Sequence, residues 1–202
     1  MNIRSSSFGK DRNLTVVDKF GIWLSNRKIV NLVKKHKVST FADIGCGHEA
    51  RLSQSVRPLV SRCLVIDVAL HENLLKSSDY ETYVGELPNV LLSVPDDSID
   101  FVVLNSVLEH LDFPIESLRN IKNTMNKDGI LFVNVPTWFG KKVLEFLAFK
   151  MNLSPADEME DHRRYYSKNE LWLALRTSGF VPSKIKVRRH KFGTNVYAVV
   201  KK

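Results

Sequence analysis

The stretch Phe41-Ala42-Asp43-Ile44-Gly45-Cys46-Gly47-His48 constrains this chain more than any other. It reads as a short apolar strand that ends in a turn hinged on two glycines and runs on into a helix. Gly45 and Gly47 let the backbone approach a ligand without interference from a Cβ. In open α/β sheets, ligands bind at the carboxyl ends of strands, where such turns fall. The next strand, Arg62-Cys63-Leu64-Val65-Ile66-Asp67, ends in a carboxylate. An acid about twenty residues beyond such a turn can accept both hydroxyls of a ribose. Two consecutive strand ends therefore point to a site for a nucleoside-containing cofactor.

The rest of the chain alternates strand and helix. Val16 to His36 carries apolar residues at helical spacing with Lys and Arg between them. Strands are expected near 40–44, 62–67, 81–84, 99–105, 129–135, 183–190 and 194–201. Helices are expected near 49–57, 71–76, 114–126, 139–151 and 168–178. Asp128-Gly129 signals a turn before Ile130-Leu131-Phe132-Val133. Ser167 with Glu170 three residues on forms a capping box, and Ser178-Gly179 closes that helix. Phe192-Gly193-Thr194-Asn195 marks a hairpin between the last two strands. Residues 1–14 are polar and expected to be mobile.

At 202 residues the chain is read as a single domain, large enough to bury a sizeable core. No apolar run approaches the roughly 18 residues that a membrane span needs, and the N-terminus lacks the apolar core of a signal peptide. A cytoplasmic location is the expectation, with Cys46 and Cys63 as reduced core thiols. The net charge of +8 raises the question of nucleic acid. Most of the excess falls in Ser183–Lys202, which has seven Lys or Arg and no acid. Lys184-Ile185-Lys186-Val187-Arg188 alternates at period 2, as a half-exposed edge strand does, and lysines protect such an edge from aggregation. The edge reading makes nucleic acid an unlikely partner. A face for an acidic partner, an anionic membrane or a phosphate-bearing substrate is the alternative.

The chain resembles the class I S-adenosylmethionine-dependent methyltransferases from about Phe41 onward. Asp43-x-Gly45-x-Gly47, Asp67, Asp100 and Leu108-Glu109-His110 carry the resemblance in this order. One departure is Glu49, which stands where the family's turn usually has a third glycine; a glutamate there is expected to cap the following helix. The resemblance implies an α/β fold: a Rossmann-like, doubly wound sheet of seven strands, the last antiparallel, with helices on both faces. It implies residues 1–36 as an N-terminal helical lid, 37–202 as the cofactor-binding core, and 137–167 as a segment covering the substrate. S-adenosylmethionine is the implied cofactor. Asp43, Gly45, Gly47 and Asp67 would hold it, with Glu86 and Leu87 at the adenine and Asn105 and Ser106 beside the reacting sulfonium. Asp100 starts its strand far from that end and is read as structural.

Two histidines are candidate general bases, since an imidazole titrates near neutrality. His110 follows the fourth strand. His162 lies in Glu160-Asp161-His162-Arg163-Arg164-Tyr165-Tyr166, where Asp161 would orient it; anchoring of the loop is the alternative reading of that cluster. That cluster, with the run from Pro136, resembles a bacterial methyltransferase subgroup found among glycan- and lipid-modifying enzymes. Glu109-His110 also partly matches the Glu-x-x-Glu-His metal site of some O-methyltransferases. Ser106 replaces the first glutamate, which weakens a site for a hard cation, so no metal is assigned. The apolar run from Trp138 to Met151 reads as a buried helix and substrate wall, with membrane contact as the alternative. The fourth strand ends Asn105-Ser106-Val107-Leu108 and lacks the Asn/Asp-Pro-Pro-Tyr motif of amino-directed nucleic-acid methyltransferases. The function expected is methyl transfer to an oxygen of a small-molecule, glycan or lipid-linked acceptor. RNA 2′-O-methylation and a catalytically silent cofactor-binding partner protein are the competing readings.

Overall fold

A computed structural model describes residues 16–143 and 163–202. Its centre is one seven-stranded sheet of β1 (Thr40–Ile44), β2 (Arg62–Asp67), β3 (Glu81–Val84), β4 (Ile99–Asn105), β5 (Met125–Pro136), β6 (Ile185–His190) and β7 (Asn195–Lys201), in the order β3-β2-β1-β4-β5-β7-β6. β1 to β5 run parallel, and β7 enters antiparallel between β5 and β6. This is the doubly wound sheet expected from the sequence. β1 is buried along its whole length, and β4 nearly so. Strands covered on both faces read as continuous apolar runs, as Phe101-Val102-Val103-Leu104 does.

Helices cover both faces. On one, α1 (Val16–His36) and α2 (Arg51–Val56) bury Ile29, Val33, Leu52 and Val56 against Phe41, Phe101, Val103 and Phe132. On the other, α4 (Pro114–Thr124) and α5 (Lys168–Thr177) bury Leu118, Ile121, Leu171 and Leu175 against Ile44, Val102, Leu104, Leu131 and Val133. The short α3 (Glu72–Lys76) follows β2. The capping box of α5 is formed: Ser167 Oγ accepts from the Glu170 N–H and the Glu170 carboxylate accepts from the Ser167 N–H.

Two local expectations need correction. Asp128-Gly129 does not start β5, which begins at Met125 and bulges. Ile99 pairs with Met125, and Phe101 with Ile130. Asp100 fixes this irregularity by accepting the Ser39 and Thr40 N–H groups at 3.0 and 2.8 Å, together with the Asn126 amide. Its structural reading thus fits its geometry. Glu49 does not cap α2 either. The cap is Ala50, in a left-handed conformation, and the Glu49 side chain turns to Arg51 at 2.7 Å.

Candidate functional site

The carboxyl ends of β1, β2 and β4 form one cradle. The chain leaves β1 through Gly45, whose N–H donates to Ile66 O at 2.7 Å and whose φ is +71°. A Cβ on Gly45 would stand 2.3 Å from Val107 Cγ2, so the turn closes against the loop after β4 only because this residue has none. Asp67 ends β2. Its Oδ2 accepts the Gly47 N–H and its Oδ1 the Val68 N–H, both at 2.8 Å. These two bonds aim the carboxylate across the mouth of the turn.

Asp43 lies beneath, 2% exposed, and accepts from the buried Ser53 hydroxyl at 2.8 Å. Burial, reinforced by the Asp67 charge and opposed by the Ser53 bond, pushes its carboxyl up to about 7. Burial and the same two acids push the Cys46 thiol well above its ordinary range, which leaves it inert as a nucleophile. Both cysteines are free thiols. Two carboxylates at neighbouring strand ends, one buried and one partly exposed, suit a cationic ligand that carries a ribose. Glu49 extends outward, paired with Arg51 rather than lying across the turn.

The remaining predicted residues ring this cradle. The Gly85 N–H donates to Asp67 O at 3.0 Å, which ties the loop after β3 to the end of β2. Next in that loop, Glu86 is exposed and Leu87 packs on the core. Asn105 closes β4, and its side-chain oxygen accepts from Asn134 at 3.0 Å. Ser106 follows at φ +60°, and its N–H donates to Asn134 O. The sequence reading missed Asn134, which is fully buried, with an Oδ1 that has no partner among the described residues. A lone amide inside the apolar run Ile130–Val135 was a usable signal, since buried polar side chains are retained for a hydrogen bond.

His110 sits half-buried in the helical turn Leu108–His110. Glu109 beside it is fully buried, and its charge acts on Lys191 and Tyr166. Burial pulls the Lys191 ammonium down to about 8, against the opposing pull of Glu109. Lys191 stands at the tip of the β6–β7 hairpin, and its Nζ lies 3.6 Å from where a Cβ on Gly21 of α1 would be. The start of α1, the hairpin tip and the β4 loop therefore meet at this end of the sheet.

His162 lies outside the described residues. The positions after it clamp the same loop. The Arg163 N–H donates to Glu109 O at 3.1 Å, Arg163 pairs with Asp112, and Arg164 donates to Leu111 O. Tyr166 N–H donates to Pro136 O at 3.0 Å. Trp138 packs on Tyr165 at 5.1 Å, and Lys141 lies over both rings. The apolar run of 138–151 is described only through 143, where Trp138 and Phe139 are more than half exposed. No group of three or more potential metal ligands occurs among the described residues. No described helix is long and apolar enough to cross a membrane.

Solved structures share this architecture. A proposed O-methyltransferase from Nostoc punctiforme PCC 73102 superposes with a TM-score of 0.63 at 17% identity, covering 92% of this chain and 58% of that one. A SAM-dependent methyltransferase from Archaeoglobus fulgidus gives 0.62 at 14% identity, covering 93% and 100%. The trans-methyltransferase CalH, solved with SAH, gives 0.62 at 18% identity, covering 92% and 58%. This chain thus spans little more than half the length of two of these three. No curated protein sequence matches it. Residues 25–184 match a family model described as a methyltransferase domain. The chain belongs to that methyltransferase-domain family, and its fold is the one seen in these solved SAM-dependent methyltransferases.

Proposed function

We propose that the protein transfers the methyl group of S-adenosylmethionine to a hydroxyl oxygen of a small-molecule, glycan or lipid-linked acceptor. The observation that carries this reading is His110, set in the helical turn that follows β4, in a loop clamped by Arg163 and Arg164. When bound, the cofactor supplies a methyl group already activated on a sulfonium. The chain's own task is then to align an oxygen and take its proton. Asp67 would hold the ribose, the Gly45–Gly47 turn the backbone-facing part of the cofactor, and Asp43 its cationic end. Glu86 and Leu87 would border the adenine, and Asn105 and Ser106 the sulfonium side. His110 would accept the acceptor's proton, with His162 as the second candidate.

The first turns of α1 and the segment 137–167 would exclude water above the acceptor. The meeting of Gly21 with Lys191 and the packing of Trp138 on Tyr165 support that role. The aromatic wall with Lys141 suits an apolar or sugar-ring acceptor that bears an anionic group.

The test is release of S-adenosylhomocysteine by the purified chain with a panel of glycans and lipid-linked sugars. His110→Ala is expected to lower kcat by roughly a hundredfold or more, the usual worth of a general base, with cofactor affinity unchanged. Turnover insensitive to both His110→Ala and His162→Ala would refute this assignment of the base. RNA 2′-hydroxyls are a second acceptor reading, favoured by one observation, the basic groove described next.

A further inference from the structure

α1 and the β6–β7 hairpin face each other across a groove of about 880 Å³. The helix contributes Arg27, Lys28 and Lys35, and the opposite wall Lys184, Lys186 and Arg188. No aspartate or glutamate among the described residues lines it. The two rows have simple origins. Lys186 and Arg188 alternate along β6, so they share one face about 6.6–6.8 Å apart, and Lys184 ends the helical turn just before the strand. Arg27, Lys28 and Lys35 fall on one side of a helix, and the lining from Leu24 to His36 extends over about 18 Å at 1.5 Å per residue. The floor is apolar, with Leu32, Ile130 and Val199.

β6 is an edge strand, as expected, and lysines on it need no further explanation. Edge protection does not call for a second row of cations facing the first. No carboxylate among the described residues pairs with Lys35, Lys186, Arg188 or Lys201. Lysine charge in and beside the groove acts on the histidines at its two ends. Burial, then Lys35 and Lys201, pull His36 down, and burial, then Lys191 and Lys28, pull His190 down to about 4. His190 Nε2 is buried without a hydrogen-bond partner among the described residues. Concentrated like charge of this kind destabilises a free chain and is relieved by a polyanion.

Beyond the groove, the same helical stripe continues as Trp23 and Phe20, half exposed and stacked 5.9 Å apart, with the Arg27 guanidinium over Trp23. Phe192 at the hairpin tip is 90% exposed. A cationic groove that opens onto exposed rings is the combination that tracks a phosphate backbone and stacks its bases.

We propose that this groove binds single-stranded nucleic acid, its phosphates between α1 and β6 and its bases against Phe20, Trp23 and Phe192. The shape favours this occupant over a bilayer, which would need the cations on one outward plane rather than on two walls facing each other. The length favours it over one small phosphate, which two or three cations would satisfy. The surface stands independently of the acceptor assignment, since nucleic acid held here need not be the group methylated.

The test is fluorescence anisotropy of a labelled oligouridine with the full chain across a salt series. Binding should weaken with a log–log slope near −3, for about four to five phosphates neutralised. The pairs Lys186→Glu/Arg188→Glu and Lys28→Glu/Lys35→Glu should each weaken binding at least roughly tenfold and flatten the slope. Lys76→Glu, on the exposed α3 far in sequence from both walls, should change nothing. Cofactor titration of every variant checks that the fold is intact, since none touches the cradle. Absence of oligouridine binding would overturn the proposal. So would equal weakening by Lys76→Glu. Retention on phosphatidylserine vesicles, lost in the groove variants while oligouridine fails to bind, would overturn it in favour of a membrane.

Discussion

The cradle proposed for the cofactor and the basic groove handle charge in opposite ways. The cradle holds two carboxylates, and both are tied: Asp67 by the Gly47 and Val68 N–H groups, Asp43 by Ser53. Its charge is low, because Asp43 is raised to about 7. The groove gathers cations on two walls with no acid among the described residues lining it. The cradle is preorganised, so a ligand meets groups already in place. The groove is strained by repulsion, so a ligand stabilises what it enters. Rigid alignment suits chemistry at one atom, whereas an unbalanced field suits capture of a long, repeating partner.

The hardest way to break the cradle is Gly45→Ala. The new methyl would overlap Val107 in a backbone of φ +71°. Overpacking and the left-handed penalty together predict a loss of about 2–4 kcal/mol in urea unfolding and no measurable cofactor binding. Shortening the obstacle sharpens the point. Gly45→Ala/Val107→Ala should recover part of the stability, because only the clash is removed and the backbone penalty stays. Neither change should alter oligouridine binding in whatever fraction remains folded.

Asp67 and Asp100 offer a matched pair. Each carboxylate accepts at least two backbone N–H groups, Asp67 at the carboxyl ends of the strands and Asp100 at the amino ends. Losing either leaves those donors without their acceptor, at about 1–3 kcal/mol. Only Asp67→Ala should weaken S-adenosylmethionine binding, by roughly tenfold or more in calorimetry. Asp100→Ala should lower the melting temperature and leave the dissociation constant alone. Equal effects on binding would erase the distinction between ligand and scaffold.

The same pair shows what the sequence can and cannot carry. The cradle was legible because its parts are close along the chain: a strand, a glycine turn and an acid at the next strand end. Local rules failed where tertiary contacts outweighed them. Asp128-Gly129 has the composition of a turn, yet Asp100 and Asn126 hold it as a bulge within β5. Glu49 fits a cap by composition, but Arg51 is the nearer partner. Asn134 escaped because its bond to Asn105 spans two parallel strands that a single sequence does not align. The groove was legible only in halves. Its helix read as amphipathic and its strand as a protected edge, and only the fold sets them face to face.

A smaller effect separates the two regions by pH. Asp43 is raised on folding, so the folded state takes up a proton between its unfolded value near 4 and about 7. Stability is therefore fully present below that window and declines as pH rises through it. A cationic ligand favours the ionised form, so cofactor affinity should move the other way, rising severalfold between pH 6 and 8. Asp43→Asn should flatten both profiles. A wild-type affinity that does not change with pH would mean that Asp43 stays protonated beneath the bound ligand.

The smallest expected effect probes the groove with no partner present. His190 is depressed to about 4 by burial, Lys191 and Lys28, so it folds neutral. Its contribution to stability is present above the unfolded value near 6.5 and is lost as pH falls toward 4, where only the unfolded chain protonates freely. Burial sets most of that depression and does not change in Lys28→Gln. The charge from Lys28 does change, and solvent screening limits it to a few tenths of a kcal/mol. The His190 ring protons should titrate at a slightly higher pH in Lys28→Gln, and added oligouridine should move the wild-type midpoint up further by supplying the opposite charge. If oligouridine raises it no more than the same concentration of simple salt does, the potential in the groove is too weak to distinguish a polyanion from its counterions. The contrast with the cradle would then lie in burial alone.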